Sequence, residues 1–289
     1  MRSLSRRLPP SCRPPPSRAA RPARSLCATW GAKFVGYTTK QAEKGSVDVA
    51  NPMFVQYMLP LNKKHPYPIV LIHGGGGQGS DWLQTPDGRD GWADYFVADG
   101  WDVYVVDRPG HGRSQRNPAC HDGKVGVANS AIVSRLSHSS PTVWPGGEPT
   151  ATNDAVIGFE AAGANPFAAG FNNGPPLAAT WAAAPKLPAD FKAVEKTGCA
   201  MQGEHPSTLT NYAGLPIVVV GSEMGLANEA ALKCQAEVWR QAGANATYVY
   251  LPDRGLKGGG HFAMAQLDSA KYAAVFIDIA AGIEKTAKK

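Results

Sequence analysis

Four short apolar runs in this chain each end in a turn-rich segment. Residues 69–73 (IVLIH) lead into four glycines, 102–107 (DVYVVD) into RPGHG, 217–221 (IVVVG) into SEMG, and 247–251 (TYVYL) into PDRG. Runs this short and this rich in β-branched and aromatic residues read as strands buried within a sheet. Segments with helical spacing lie between and after them. Residues 91–99 stop at Gly100, residues 229–242 (EAALKCQAEVWRQA) stop at Gly243, and residues 271–283 form an amphipathic stretch near the C-terminus. Glycine just past such a stretch is a helix stop. Alternation of strand and helix, with loops at the strand ends, predicts a mostly parallel central sheet with helices on both faces. Residues 53–59 (MFVQYML) instead alternate like a half-exposed antiparallel strand, and residues 191–195 read as a weak strand. A helix is expected at 130–136, and broken helix and loop at 165–188.

At 289 residues the chain has room for one sizeable α/β domain, placed here at residues 45–289. Its net charge of +6 suggests an acidic partner until the charges are located. Arg2, Arg6, Arg7, Arg13, Arg18, Arg21, Arg24 and Lys33 stand in an N-terminal stretch without one acidic residue, so the remainder is nearly neutral. That distribution gives no electrostatic case for nucleic acid. Residues 1–44 are therefore expected to be a disordered or targeting leader. The Arg, Ser and Pro content resembles an organelle transit peptide, and fits translated upstream sequence or a disordered tail as well. No run approaches the ~20 apolar residues of a membrane span, so a soluble protein without a membrane partner is expected. Cys12, Cys27, Cys120, Cys199 and Cys234 show no metal-binding spacing. Free, partly buried thiols are expected unless the compartment is oxidising, and the sequence does not reveal a pairing.

The order of motifs resembles the α/β-hydrolase superfamily. The residues that carry the resemblance are the HGGGG run from His73, the DRPGHGRS run from Asp107, and Gly260-His261 after the last strand. The stretch TPDGRDGWADYFVADGWDVYVVD at 85–107, with FVQYMLP at 54–60, is similar to a branch of bacterial-type esterases whose catalytic acid follows strand six instead of strand seven. The resemblance implies an α/β-hydrolase fold over roughly residues 53–285, with a short cap insertion at about 115–152. It also assigns roles. His261 matches the general base, Gly75 the oxyanion position, with Gly74 beside it, and Ala161 the second oxyanion amide. Glu195, in a Val-Glu dipeptide, matches the branch's acid, while Glu223 in GSEMG stands where most of the superfamily keeps its acid. Pro166-Phe167 matches a pair that follows the nucleophile elbow.

The elbow itself is altered. Residues 154–163 read DAVIGFEAAG, with small residues around a sharp strand-to-helix turn, but Glu160 occupies the place of the nucleophilic serine. A carboxylate there can attack a carbon electrophile such as an epoxide, or exchange protons with His261 while a carbonyl compound sits in the oxyanion hole. Hydrolase, lyase and isomerase chemistry on a small carbonyl, lactone or epoxide-type substrate all remain open. Two other readings stay beside it. One is a serine esterase whose nucleophile lies elsewhere, with Ser137, Ser139 and Ser140 around His138 as the alternative, although no apolar strand precedes them. The other is an inactive relative that binds a small ligand. Ser114 ends a turn and reads as structural. The partner expected is a small-molecule substrate; neither a cofactor nor a metal is called for, and a homodimer is allowed.

Overall fold

The computed structural model describes residues 27–41, 47–50, 52–74, 77–85, 88–109, 111–114, 192–225 and 227–287. A four-stranded sheet runs in the order β1 (Cys27–Val35), β4 (Met53–Pro60), β6 (Val103–Asp107), β5 (Ile69–Ile72). β4 is antiparallel to both of its neighbours, as its alternating pattern requires, and β5 and β6 are parallel, with Ile69 opposite Val103. A second, parallel pair joins β9 (Pro216–Gly221) to β10 (Asn245–Tyr250), with Val218 opposite Thr247. Two antiparallel hairpins complete the described strands: β2 (Thr38–Gln41) with β3 (Val47–Ala50), and β7 (Lys192–Val194) with β8 (Cys199–Met201).

Three helices fall where the spacing put them. α1 (Trp92–Asp99) starts at Gly91 and ends on Gly100, whose φ of 103° only glycine adopts readily. α2 (Glu229–Gln241) opens with the Asn228 side chain accepting the Ala231 N–H, a standard cap, and is followed by Gly243 at φ 94°. α3 (Ser269–Ala287) is longer at both ends than its periodic stretch. The core joins these parts. Met58, Leu71, Val103 and Val105 from the first sheet pack with Trp92, Phe96 and Val97 of α1, Leu251 and Leu256 after β10, and Tyr272 and Ala273 of α3.

Three expectations are corrected. The leader does not run unstructured to residue 44, because Cys27–Val35 forms an edge strand paired along β4 and a hairpin begins at Thr38. The strand at 69–72 is not buried on both faces: Leu71 is in the core while Val70 and Ile72 are more than half exposed. Finally, Cys199 and Cys234 form a disulfide that ties β8 to α2, whereas Cys27 is a free thiol. The cap region, the helix at 130–136, the loop at 165–188, the elbow and the Ser137, Ser139 and Ser140 cluster lie outside the described residues.

Candidate active site

The His73 and Asp107 motifs form one structural clasp. His73 is buried, donates from Nδ1 to the Gly74 carbonyl at 2.8 Å, and accepts the Arg108 N–H on Nε2 at 3.1 Å. Both ring nitrogens are thereby occupied by the backbone. Burial lowers its pKa to about 4, and the neighbouring Arg108 and His111 act in the same direction. The Gly74 carbonyl also takes Arg108 Nη2 at 2.8 Å and the Gly77 N–H at 3.3 Å, so Gly74 anchors the turn at the end of β5. Asp107 is fully buried and accepts the Gly79 N–H, the Arg113 N–H at 2.8 Å and Arg113 Nε at 2.7 Å. Burial alone would raise its pKa, but these bonds outweigh it and hold the carboxyl below its ordinary value. Gly112, at φ 50°, faces the same carboxylate where a Cβ would stand, which explains the second glycine of RPGHG. Ser114 is structural: its hydroxyl donates to the Asp107 carbonyl and accepts the Phe54 N–H at 2.8 Å.

Asp81 lies against this clasp. It is buried, with one carboxyl oxygen accepting the Gln78 N–H at 3.3 Å and the other without a hydrogen-bond partner. Burial raises its pKa to about 7, and the charge of Asp107 adds to the effect. A Cβ on Gly77 would collide with the Asp81 carboxyl, so glycine at 77 and aspartate at 81 fit each other.

His261 is placed differently. It follows the glycines at 258–260, beyond the end of β10, and its side chain is exposed. Among the described residues no hydrogen bond engages its ring nitrogens, and its nearest aromatic neighbour is Phe262, at 5.6 Å between ring centres. Partial desolvation still draws its pKa below the ordinary histidine value. What fixes this residue is its backbone. Glu223 Oε2 accepts the Gly258 N–H at 2.7 Å, the Met224 N–H donates to the Gly259 carbonyl at 2.8 Å, and the Ser222 hydroxyl donates to the Gly260 carbonyl at 3.1 Å. Downstream, Arg89 donates to the carbonyls of Ala265, Gln266 and Leu267, and Trp92 Nε1 to that of Ser269 at 3.2 Å. The stretch GRDGW, noticed in the sequence only as part of a resemblance, is thus the support of the segment after His261.

The structure brings Glu223 and His261 to the same edge, the carboxyl ends of the parallel strands β9 and β10, where open α/β sheets bind ligands. Glu195 stands in the exposed turn between β7 and β8. That hairpin is fastened to α2 by the Cys199–Cys234 disulfide and by the Gln241 side-chain amide, which accepts the Gln202 backbone N–H at 3.0 Å and donates to the Gln202 carbonyl at 3.2 Å. Gly75, Glu160 and Ala161 lie outside the described residues. The sequence reading missed Ser222, Tyr272 and Asp81; glycines at 258–260 signalled a close approach but not which side chain made it. Among the described residues no group of three or more His, Cys, Asp or Glu could hold a metal ion, and no helix is long and apolar enough to cross a membrane.

A family model for the α/β hydrolase fold matches residues 67–144, which begin two residues before β5 and take in the glycine turn and the Asp107 clasp. The chain is also 26% identical over 310 residues to a protein named "Probable secreted lipase phiG" from a fungal species, strain ATCC 74256, an alignment that covers 78% of this chain and 84% of that one. A solved structure described as that of a novel bacterial esterase superposes with a TM-score of 0.59 at 19% identity, covering 93% of this chain and 99% of the other. The family model and the structural likeness together show the α/β-hydrolase fold. Within this fold the described site has a plain division of labour: a rigid clasp after β5 and β6, and a solvent-facing imidazole on a backbone-tied loop after β10.

Proposed function

We propose that this α/β-hydrolase is an enzyme that hydrolyses carboxylic esters or lactones of small molecules, with His261 as its general base. The observation that carries the reading is the contrast in His261 itself: its loop is tied at three successive residues, while its ring is left exposed to act. Desolvation lowers the pKa of this imidazole, which favours the neutral form that can accept a proton. The relatives described as a lipase and an esterase support the ester class.

Glu160 in the serine's place shapes the step. Attack by a carboxylate on an ester would have to expel an alkoxide and leave a mixed anhydride, an acyl species more activated than the ester, so the better course has a water molecule attack the substrate carbonyl. His261 takes the proton of that water, and the tetrahedral intermediate collapses with expulsion of the alcohol, which receives the proton back. Glu160 assists the proton transfers, and the amides of Gly75 and Ala161 receive the negative charge that develops on the carbonyl oxygen. Glu195 is retained as the acid that the resemblance assigns. The disulfide and the relative named as secreted favour action in an oxidising compartment.

The test is turnover of a panel of p-nitrophenyl esters and lactones, with serine-directed phosphonate labelling beside it. Turnover lost in both His261→Ala and Glu160→Gln, with no serine labelled, supports the reading. Stoichiometric labelling of a serine replaces it with a conventional esterase, and ligand binding without turnover replaces it with a binding protein.

A further inference from the structure

We propose that Glu223 is a positioning residue: it holds the His261 loop through the amide of Gly258, and the reaction uses its oxygen as a hydrogen-bond acceptor rather than its charge as a partner of the imidazole. The inference rests on the reading of His261 as the general base. Its geometry is specific. Oε2 of Glu223 accepts the Gly258 N–H at 2.7 Å, three residues before His261. Gly258 has φ 73°, a conformation that residues other than glycine adopt at a cost, which accounts for the glycine at this turn. Its two successors are held from the same short segment, Gly259 by the Met224 N–H and Gly260 by the Ser222 hydroxyl, and a parallel bridge pairs Met224 with Gly260.

The other side of the loop is closed by Tyr272. Its buried hydroxyl fills the space where a Cβ on Gly259 would stand, and burial, with the charges of Asp268 and Glu223, raises its pKa. The loop is therefore pinched between a phenol ring on α3 and the three residues after β9. Glu223 supplies a side-chain bond at its entrance. A carboxylate bound to a backbone amide in this way fixes where the loop starts, and so where the imidazole points.

Glutamine keeps an acceptor oxygen at this place and loses the charge; alanine loses both. In the full chain, Glu223→Ala should speed hydrogen exchange of the Gly258 amide by about tenfold or more, and Glu223→Gln by less than about threefold, as expected for losing or keeping one such bond. The titration midpoint of His261, followed by NMR, should stay where it is in Glu223→Gln, and kcat for p-nitrophenyl butyrate should fall in the alanine variant and recover in the glutamine variant. A midpoint lowered by about one unit or more in Glu223→Gln, the mark of a lost charge partner, overturns the proposal. So does a glutamine variant as impaired as alanine in kcat, or an unchanged Gly258 exchange rate in Glu223→Ala. If the alanine variant does not fold, the His261 midpoint in Glu223→Gln decides alone. Should the parent protein turn over no ester while the exchange pattern appears as expected, the ester reading fails and the role of Glu223 in holding the loop stands.

Discussion

The clasp after β5 and β6 and the loop after β10 each carry a histidine at a strand end, yet they use it in opposite ways. His73 is buried with both nitrogens satisfied by backbone groups, and its pKa is lowered to about 4. It serves as an uncharged wedge. His261 has an exposed ring, and the bonds of its surroundings go to the backbone before and after it. A strand end can therefore be rigid in two ways: by engaging the side chain, which removes it from chemistry, or by engaging the main chain, which leaves the side chain available. The same contrast separates the carboxylates, with Asp107 saturated in the interior and Glu223 and Glu195 at the surface.

Exchanging the two histidines for alanine should break the comparison most visibly. His261→Ala is expected to lower kcat/KM by about 10²–10⁴-fold, the usual contribution of a general base, with little change in Tm. His73→Ala should lower stability by roughly 2–4 kcal/mol through a cavity and two lost backbone bonds, and reduce activity only through unfolding. Steady-state kinetics beside thermal denaturation of both variants gives the answer; a His261→Ala protein as unstable as His73→Ala would erase the distinction.

The disulfide tests whether the C-terminal region depends on covalent support. It joins residues 35 positions apart, and closing a loop of that length removes about 3–4 kcal/mol of denatured-state entropy in the simplest model. Reduction, or the paired change Cys199→Ser and Cys234→Ser, should lower Tm and loosen the hairpin that carries Glu195. Melting in the presence and absence of a reductant reads the first effect. Protease nicking in the turn at 195–198 reads the second.

Asp81 shows what burial in the clasp costs a carboxylate that lacks the bonds Asp107 has. Its folded pKa of about 7 lies well above the unfolded value near 3.8, so the folded state binds the proton more tightly. Stability from this group is complete below about pH 4 and is lost as pH rises through about 7. Asp81→Asn cannot ionise; it should match the parent near pH 4 and exceed it at pH 8 by roughly 2–4 kcal/mol, an order-of-magnitude figure from 1.36 kcal/mol per pKa unit. Urea unfolding at both pH values is the measurement, and an Asn variant that loses stability at pH 8 would contradict the burial argument.

The sequence made the elements with local signals legible and left those made by distant pairing unread. β4, β6, β9, β10 and the three helices were visible because alternation, apolar runs, caps and glycine stops are written within each segment. β1 was not. Its sequence, CATWGAKFV, follows an Arg- and Pro-rich stretch, and it becomes a strand through its pairing with β4, which no local pattern encodes. The Cys199–Cys234 pairing was hidden for the same reason, since it depends on β8 meeting α2. At the site, His261 and Glu223 were singled out through the family resemblance, at positions that follow strands. Their supports, Arg89 among them, were not, because a side chain that bonds to distant carbonyls leaves no trace in its own neighbourhood.

Arg89 offers the finest adjustment of the comparison. Its guanidinium reaches three consecutive carbonyls, those of Ala265, Gln266 and Leu267, with bonds of 2.9 to 3.3 Å, and so fixes the segment just after His261 from outside the loop. Lysine keeps the charge but presents a single flexible ammonium in place of a planar fork, so it can satisfy these carbonyls only in part. Arg89→Lys should therefore cost about 1 kcal/mol of stability, the net worth of one or two such bonds, and lower kcat by about two- to fivefold with KM little altered. The direction of the split matters more than its size. If His261 is held by its backbone, loosening a support on the downstream side should misplace the base in the transition state more than it weakens substrate binding. A change confined to KM would instead place Arg89 at the substrate, and the loop would then owe its rigidity to the residues after β9 and to Tyr272.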